Sequence, residues 1–392
     1  MPSPLSIDEA RARVLAAVRP LPAEDVRVED ALGRVLAEDV TAAADVPGFA
    51  NSAMDGFAVR SGPTGRRLRL VGESRAGAPA TTAVGEGEAV RISTGALLPE
   101  GADAVLQLEL ADEDGDTIAL REEVAPGRNV RFPGEDMPAG AVVLRAGAPL
   151  GPAGVGVAVA AGRATVRCGR RPAVAIVTTG DELTAPGAAL GPGGLHDSNA
   201  VTLAALAVRA GARVVRTARS QDTAEATRAA LGEALEAADV VIASGGVSVG
   251  PHDHVKDALA SLGVQEAFWR VALRPGRPTW FGTRGATAVF GLPGNPVSAM
   301  VTFTLFARPA LAALQGGTAP ATRGRARLAV AVERNPQRDE CVRVRIRDGV
   351  ATPTGPQGSH VLTSMLGADG LAIVTRGEGQ AAAGDEVEVE PL

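Results

Sequence analysis

Between Ala173 and Leu314 the chain alternates short apolar runs with segments of helical periodicity, and this alternation restricts the fold more than any other feature. Ala173 to Val177, Arg213 to Thr217 and Val240 to Ala243 read as strands, and further strands fall within 268–290. Asp197-Ser198-Asn199 is a capping sequence for a helix that runs to Gly211, and Pro296 opens a helix that runs to Leu314. Thr223 to Glu236 and His254 to Leu262 are helical as well, the latter stopped by Gly263. Strands separated by helices of this length pair in parallel through crossovers, so the spacing predicts an α/β domain over 170–315.

The flanks differ in texture. Ser6 and Glu9 form a capping box before an amphipathic run to Val18, which Pro20 and Pro22 end. From Pro47 to about Pro138, apolar runs such as Leu68 to Val71 and Ala102 to Leu108 alternate with Gly, Pro and Asp turns, the pattern of a small β-rich module. Residues 141–169 return to a mixed pattern. The expected organisation is a mixed N-terminal domain in two pieces, 1–46 and 141–169, interrupted by an inserted β-rich domain, 47–140. The α/β domain follows over 170–315, and a β domain over 318–392. In the last, Val342 to Arg347 alternates with period two, which puts Arg343, Arg345 and Arg347 on one face, expected to be solvated or to form a wall facing an anion.

Composition narrows the function. Hydrophobic residues make up 45% of 392, enough for several cores. A net charge of −6 argues against a general nucleic-acid binder, and 3% aromatics with no Tyr argues against single-strand stacking. Cys168 and Cys341 are too few for a zinc knuckle and read as small buried residues. The first ten residues lack the pattern of a signal peptide, and the apolar stretches are expected to break before the ~20 residues of a membrane span. A cytoplasmic protein without membrane contact is expected.

Open α/β sheets bind ligands beyond the carboxyl ends of their strands. Three loops there carry chemistry: Thr178-Thr179-Gly180-Asp181-Glu182, Ser244-Gly245-Gly246-Val247-Ser248-Val249-Gly250, and Gly291-Leu292-Pro293-Gly294-Asn295-Pro296. The Ser/Gly loop suits an anion because glycines let successive N–H groups converge and hydroxyls add donors. The third loop ends at a helix N-terminus, where the dipole favours phosphate. None fits a dinucleotide or Walker pattern. Arg274-Pro275-Gly276-Arg277-Pro278 adds two cations whose forks match oxyanions. Acids collect nearby in the chain or in its motifs: Asp55, Asp136, Asp181, Glu182 and Asp253. Acids beside an anion site imply a bridging Mg²⁺, with Asp181, Glu182 and Asp253 as its ligands. His252-Asp253-His254 has the spacing of a transition-metal site but no further ligand cluster beside it.

Seven blocks in order then carry a family likeness: Asn-Ser-Ala-Met-Asp-Gly-Phe-Ala-Val at 51–59, Ser-Thr-Gly-Ala at 93–96 continuing to Val105, Gly-Glu-Asp at 134–136, Thr-Gly-Asp-Glu-Leu at 179–183, Asp-Ser-Asn at 197–199, Ser-Gly-Gly-Val-Ser-Val-Gly at 244–250 and Gly-Leu-Pro-Gly-Asn-Pro-Val-Ser at 291–298. Over nearly its whole length the chain resembles the molybdopterin molybdenumtransferases, the bacterial MoeA family that includes the E domain of gephyrin. The resemblance implies insertion of molybdate into adenylylated molybdopterin with Mg²⁺-dependent release of AMP. It implies a multidomain α/β and β fold: a parallel-sheet molybdopterin-binding domain, a mixed N-terminal domain, an inserted β domain and a C-terminal β-barrel. It also implies a homodimer whose cleft uses both subunits, a molybdopterin adenylyltransferase upstream, and molybdoenzymes or their chaperones downstream.

Carried over by position, Asp55, Asp136, Glu182 and Asp253 are the expected catalytic acids. Thr179, Gly180, Asp181, Ser244, Gly245, Gly246, Ser248, Gly250, Arg274, Arg277, Pro293, Gly294 and Asn295 are the expected ligand-binding set. Ser359 and Ser364 fall near a C-terminal serine-containing loop of the family. The chain departs from the family pattern at Ala50, where Asp is common, at Phe57, where Tyr is usual, and at Pro251, often acidic. Arg274 and Arg277 stand where the family has lysines, which keeps the charge but changes its geometry. These departures leave a second reading open, a molybdopterin carrier or scaffold without turnover, and a generic nucleotide phosphohydrolase is a third.

Overall fold

The structure, a computed structural model, describes residues 4–247, 253–317 and 323–392. Its centre is a six-stranded sheet. In chain order the elements are β1 (Ala173–Thr179), α1 (Ser198–Arg209), β2 (Arg213–Ser220), α2 (Ala224–Ala237), β3 (Val240–Ser244), α3 (Val255–Ser261), β4 (Gln265–Trp269), β5 (Trp280–Arg284) and β6 (Thr287–Leu292). The strand order is β2-β1-β3-β6-β5-β4. The first four are parallel, and β5 and β4 complete the sheet antiparallel.

Every residue of β1 is buried, as a strand covered on both faces requires. Val174 and Ile176 face one core with Leu203 and Ala207 of α1, while Ala175 and Val177 face the other with Leu231 and Leu235 of α2. Asp197 caps α1 by accepting from the Ala200 N–H at 3.0 Å. The helical run Pro296–Leu314 begins with Pro at its first position, widens over Phe303–Ala307 and returns to α geometry at Arg308. Its 19 residues are long and apolar enough to cross a membrane, which corrects the expectation that apolar stretches break earlier. The run is 78% buried inside the protein: it is a core helix.

The N-terminal helix, Ile7–Ala17, has the capping box read from Ser6 and Glu9. Its Ile7, Ala10 and Val14 pack into the same core as Phe303, Leu311 and β1, so the first element of the chain is seated on the central domain. The residues after it form a lobe of their own. Ala23–Arg27 pairs with Thr165–Gly169, and Val40–Thr41 with Val142–Leu144, so segments far apart in the chain close on each other. The bridge between Val46 and Met137 marks where the chain leaves for, and returns from, a six-stranded sheet spanning Gly56 to Leu120.

The C-terminal strands close into a five-stranded barrel. Gly324–Leu328 pairs with Val350–Pro353 on one side and Glu386–Pro391 on the other. Asp339–Arg347 and Gly370–Val374 complete the ring. Leu273–Arg274 from the central domain adds in parallel to Asp339–Arg347 and ties barrel to sheet. Arg343 departs from the solvated face read from its alternation. It is buried, and its guanidinium donates to Ser364 Oγ at 3.1 Å and Gly358 O at 3.1 Å. Burial holds it below the ordinary arginine value. Val342 and Val344 fill the barrel interior, whereas Arg343 points outward beside Leu371 and is covered by the segment 356–364 that supplies its hydrogen-bond partners. Both cysteines are buried, and burial pushes the Cys341 thiol up to about 12, which makes it an inert packing residue.

Glu390 is the joint between these parts. It is 2% exposed and accepts from Arg11 of the N-terminal helix at 3.0 Å, Arg308 of the long helix at 2.6 Å and Arg323 at 3.3 Å. Removing a buried partner leaves the opposite charges uncompensated, at a cost of about 3–5 kcal/mol. Glu390→Ala is therefore expected to lower the unfolding free energy by that amount in a urea titration, and to release the barrel first.

Candidate functional site

The strand order sets the location. α1 carries the chain from β1 to one side of the sheet, and α2 carries it back across to β3 on the other. The loops after β1 and β3 therefore diverge and leave a crevice between them, the switch point at which open α/β sheets bind ligands. A cavity of about 850 Å³ lies there. Register brings its walls together, since Thr178 pairs with Ser244 and Ser244 with Leu292.

Ten of the residues expected from sequence line this cavity: Thr179, Gly180, Glu182, Ser244, Gly245, Gly246, Asp253, Pro293, Gly294 and Asn295. Gly245 and Gly246 have φ of +93° and +62°, which side-chain-bearing residues rarely adopt. A Cβ on Gly245 would stand 2.8 Å from both Thr179 O and Thr179 Oγ1. That Thr179 hydroxyl is buried at the cavity and has no hydrogen-bond partner among the described residues. A buried unpaired hydroxyl costs about 1–3 kcal/mol, so it marks a place where a ligand group would complete the bonding.

Not every N–H of the cradle faces a ligand. Gly245 N–H donates to Leu292 O at 3.1 Å, and Val297 N–H, in the first turn of the long helix, donates to Ser359 O at 3.1 Å. The barrel thus occupies part of the helix N-terminus that the sequence offered to phosphate. Asn199 Nδ2 donates to Ser244 Oγ at 3.0 Å and Gly294 O at 2.7 Å, which locks the second and third loops to each other.

The other expected residues lie elsewhere. Asp181 does not line the cavity. Its backbone and carboxylate exchange hydrogen bonds with those of Asp222, and it is Asp222 that faces in. Arg274 pairs with Glu340 at 3.2 Å and lines a second hollow, of about 460 Å³, against the barrel. Arg277 is exposed, one residue before the cavity-lining Pro278. Asp55 and Asp136 are exposed on the N-terminal lobe, where Asp55 Oδ1 accepts from Thr94 N–H at 2.8 Å. Ser248, Gly250, Pro251 and His252 fall outside the described residues. Among the described residues no three of His, Cys, Asp and Glu cluster closely enough to hold a metal by themselves. Of Asp181, Glu182 and Asp253, the last two line the cavity.

Five lining residues were not read from sequence: Leu195, His196, Asp222, His360 and Leu362. Asp222 follows β2, so the rule that pointed to the other strand ends also reaches it. His360 and Leu362 come from the barrel, and no local signal announces that docking.

A parallel sheet with an amide-rich, acid-flanked cavity at its switch point, joined to a β-rich lobe and a closed barrel, defines a multidomain enzyme of anionic ligands. Three family descriptions match the chain in order: "MoeA N-terminal region (domain I and II)" over 5–162, "Probable molybdopterin binding domain" over 175–313, and "MoeA C-terminal region (domain IV)" over 325–392. The molybdopterin molybdenumtransferase of Haemophilus influenzae is 36% identical across 99% of this chain and 98% of its own. Molybdopterin molybdenumtransferase 2 of Mycobacterium tuberculosis is 37% identical across 97% of each. The solved molybdopterin biosynthesis MoeA protein of Pyrococcus horikoshii superposes with a TM-score of 0.85 at 28% identity, covering 100% of both chains. The chain belongs to the MoeA family.

The unpaired hydroxyl gives a direct test. Thr179→Val keeps shape and removes the buried unpaired group, so stability is expected to rise by about 1 kcal/mol in chemical denaturation. Molybdopterin affinity is expected to fall in a fluorescence titration of the same protein. Gly245→Ala forces a methyl into Thr179 and is expected to lower both.

Proposed function

We propose that this cavity is where the chain, a molybdopterin molybdenumtransferase of molybdenum cofactor biosynthesis, joins molybdate to molybdopterin, and that the molybdopterin arrives adenylylated and leaves AMP behind. The observation that carries the reading is the meeting of Glu182 and Asp253 with Thr179, Ser244, Gly245 and Gly246 around one cavity. Hydroxyls and a glycine cradle suit a phosphate, and two carboxylates beside it suit the cation that a phosphoanhydride brings.

The donor set fits Mg²⁺. Hard oxygen ligands are present without thiols, and Mg²⁺ is commonly held by one or two carboxylates together with substrate phosphates and water. Glu182 and Asp253 would hold it, and it would neutralise charge on the phosphoanhydride as AMP departs. The remaining work belongs to the chain. Thr179 Oγ1 binds and orients the phosphate end of molybdopterin, while the Ser244 hydroxyl, which accepts from Asn199 and donates to Pro293 O at 3.3 Å, holds the adjoining loops in place. Arg277, next to the cavity-lining Pro278, offers charge to molybdate, while Arg274 is engaged with Glu340. The two dithiolene thiols bond to molybdenum as one molybdate oxygen leaves with their protons as water, and a further water molecule cleaves the phosphoanhydride to release AMP. No side-chain nucleophile is needed, and the barrier falls through positioning and charge neutralisation.

Asp55 and Asp136 enter this scheme through a second copy of the chain. Both are exposed in the N-terminal lobe, close in sequence to the exposed apolar side chains of Phe49, Met54 and Phe132, which a partner would cover. A homodimer in which each lobe reaches its neighbour's cavity accounts for acids that do not line their own.

Mixed with molybdopterin-AMP, Mg²⁺ and molybdate, the protein is expected to release AMP, and chelation of the cation should stop the release. Glu182→Gln and Asp253→Asn should each slow it by roughly 100-fold or more. Absence of AMP release under all these conditions overturns the reading, and molybdopterin binding without adenylate cleavage identifies a cofactor carrier instead. For the shared site, Asp55→Asn and Glu182→Gln chains, each inactive alone, should regain activity when co-refolded. No recovery would refute the exchange of acids between subunits.

A further inference from the structure

We propose that Trp269 is a positioning residue for the cavity, an indole that ties down the chain on both sides of residues 248–252 and so sets where Gly246, Val247 and Asp253 stand. What the cavity binds rests on the function proposed above; the tie itself rests on the contacts of the indole.

Trp269 is the last residue of β4, the outermost strand of the central sheet. Its ring packs at the margin of the core formed by Leu231, Leu259 and Trp280. Its Nε1–H donates to Val247 O at 3.2 Å. Lys256, in the first turn of α3, places Nζ 3.5 Å from the ring centroid, and the Arg270 guanidinium carbon stands 3.9 Å from it. One side chain therefore grips residue 247 on one side and residue 256 on the other, and Val247 and Asp253 both line the cavity. Packing alone does not call for tryptophan here. A phenylalanine would cover similar apolar surface, but it has no N–H donor and a weaker ring for cations. The backbone points the same way: Arg270 sits at φ +74°, a conformation disfavoured for a branched-off side chain and usually retained only where the surroundings require it. The second tryptophan, Trp280, spends its N–H on Glu266 at 2.6 Å.

Two substitutions separate the parts of this tie. Trp269→Phe keeps a ring for Lys256 and Arg270 but loses the bond to Val247; Trp269→Leu loses both. Hydrogen exchange of peptides covering 245–256, read by mass spectrometry, is expected to speed up in Trp269→Phe and further in Trp269→Leu, with the melting temperature of Trp269→Phe close to that of the parent. Loss of one positioning hydrogen bond is expected to raise the Kd for molybdopterin about 10-fold in Trp269→Phe, while saturated AMP release falls by less than about threefold. In a Trp280→Phe background, where Trp269 is the sole fluorophore, its emission is expected to shift as molybdopterin is added.

Unchanged exchange in Trp269→Phe overturns the tie. Faster exchange with unchanged molybdopterin affinity overturns the positioning role. If the parent protein fails to bind molybdopterin, the proposed function falls, and the exchange measurement still decides whether the indole holds this wall.

Discussion

Thr178, Ser244 and Leu292 stand side by side because three parallel strands pair in one register, and the rest of the site depends on that ladder. Parallel pairing sends all three carboxyl ends to the same edge. The reversal of strand order between β1 and β3 then opens a gap between their loops instead of letting them pack together. A slip of one residue in this register would turn Thr178, and with it the link to Asp197, to the opposite face of the sheet. Burial on both faces of β1 excludes that slip, since it would exchange the side chains that fit two differently shaped cores.

The ladder alone makes only part of the cavity. The other wall is brought by a domain whose first strand begins at Gly324, and its attachment is electrostatic as well as apolar. Glu390 gathers arginines from the N-terminal helix, the long helix and the entry to the barrel, and Leu273–Arg274 extends the barrel's own hydrogen-bonded edge. With the barrel fixed this way, Ser359 O reaches the N–H of Val297, and His360 and Leu362 enter the cavity. The same attachment holds Arg274 against Glu340, in a hollow separate from the one its charge suggested. Site and domain joint are thus one structure.

Sequence and structure agree where the chemistry is local. Capping at Ser6 and Asp197, the proline that starts the long helix, and the glycines at 245 and 246 are readable because a cap or a left-handed turn is satisfied within a few residues. The three loops were legible for a related reason: an apolar strand followed by Gly, Ser and Asp marks a strand end. Arg343 was misread because alternation identifies a face but does not reveal that a later segment of the chain, 356–364, folds over it. Asp181 was grouped with Glu182 as a neighbour in the chain, yet adjacent residues at a strand end point in different directions, and Asp222 faces the cavity in its stead.

What the amino-acid sequence determined unaided is the kind of domain at the centre, the edge at which the cavity lies, the glycine and hydroxyl chemistry of that edge, and, through seven ordered motifs, the family. Each depends on periodicity or on contacts within a turn, which neighbouring residues dictate. Only the tertiary structure decided that Glu182 and Asp253, 71 positions apart, share a cavity, that Asp55 and Asp136 do not line it, and that a histidine from the barrel does. Those outcomes depend on strand order, ring closure and a buried carboxylate that gathers three distant arginines, and such long-range packing leaves no mark on any short stretch of chain.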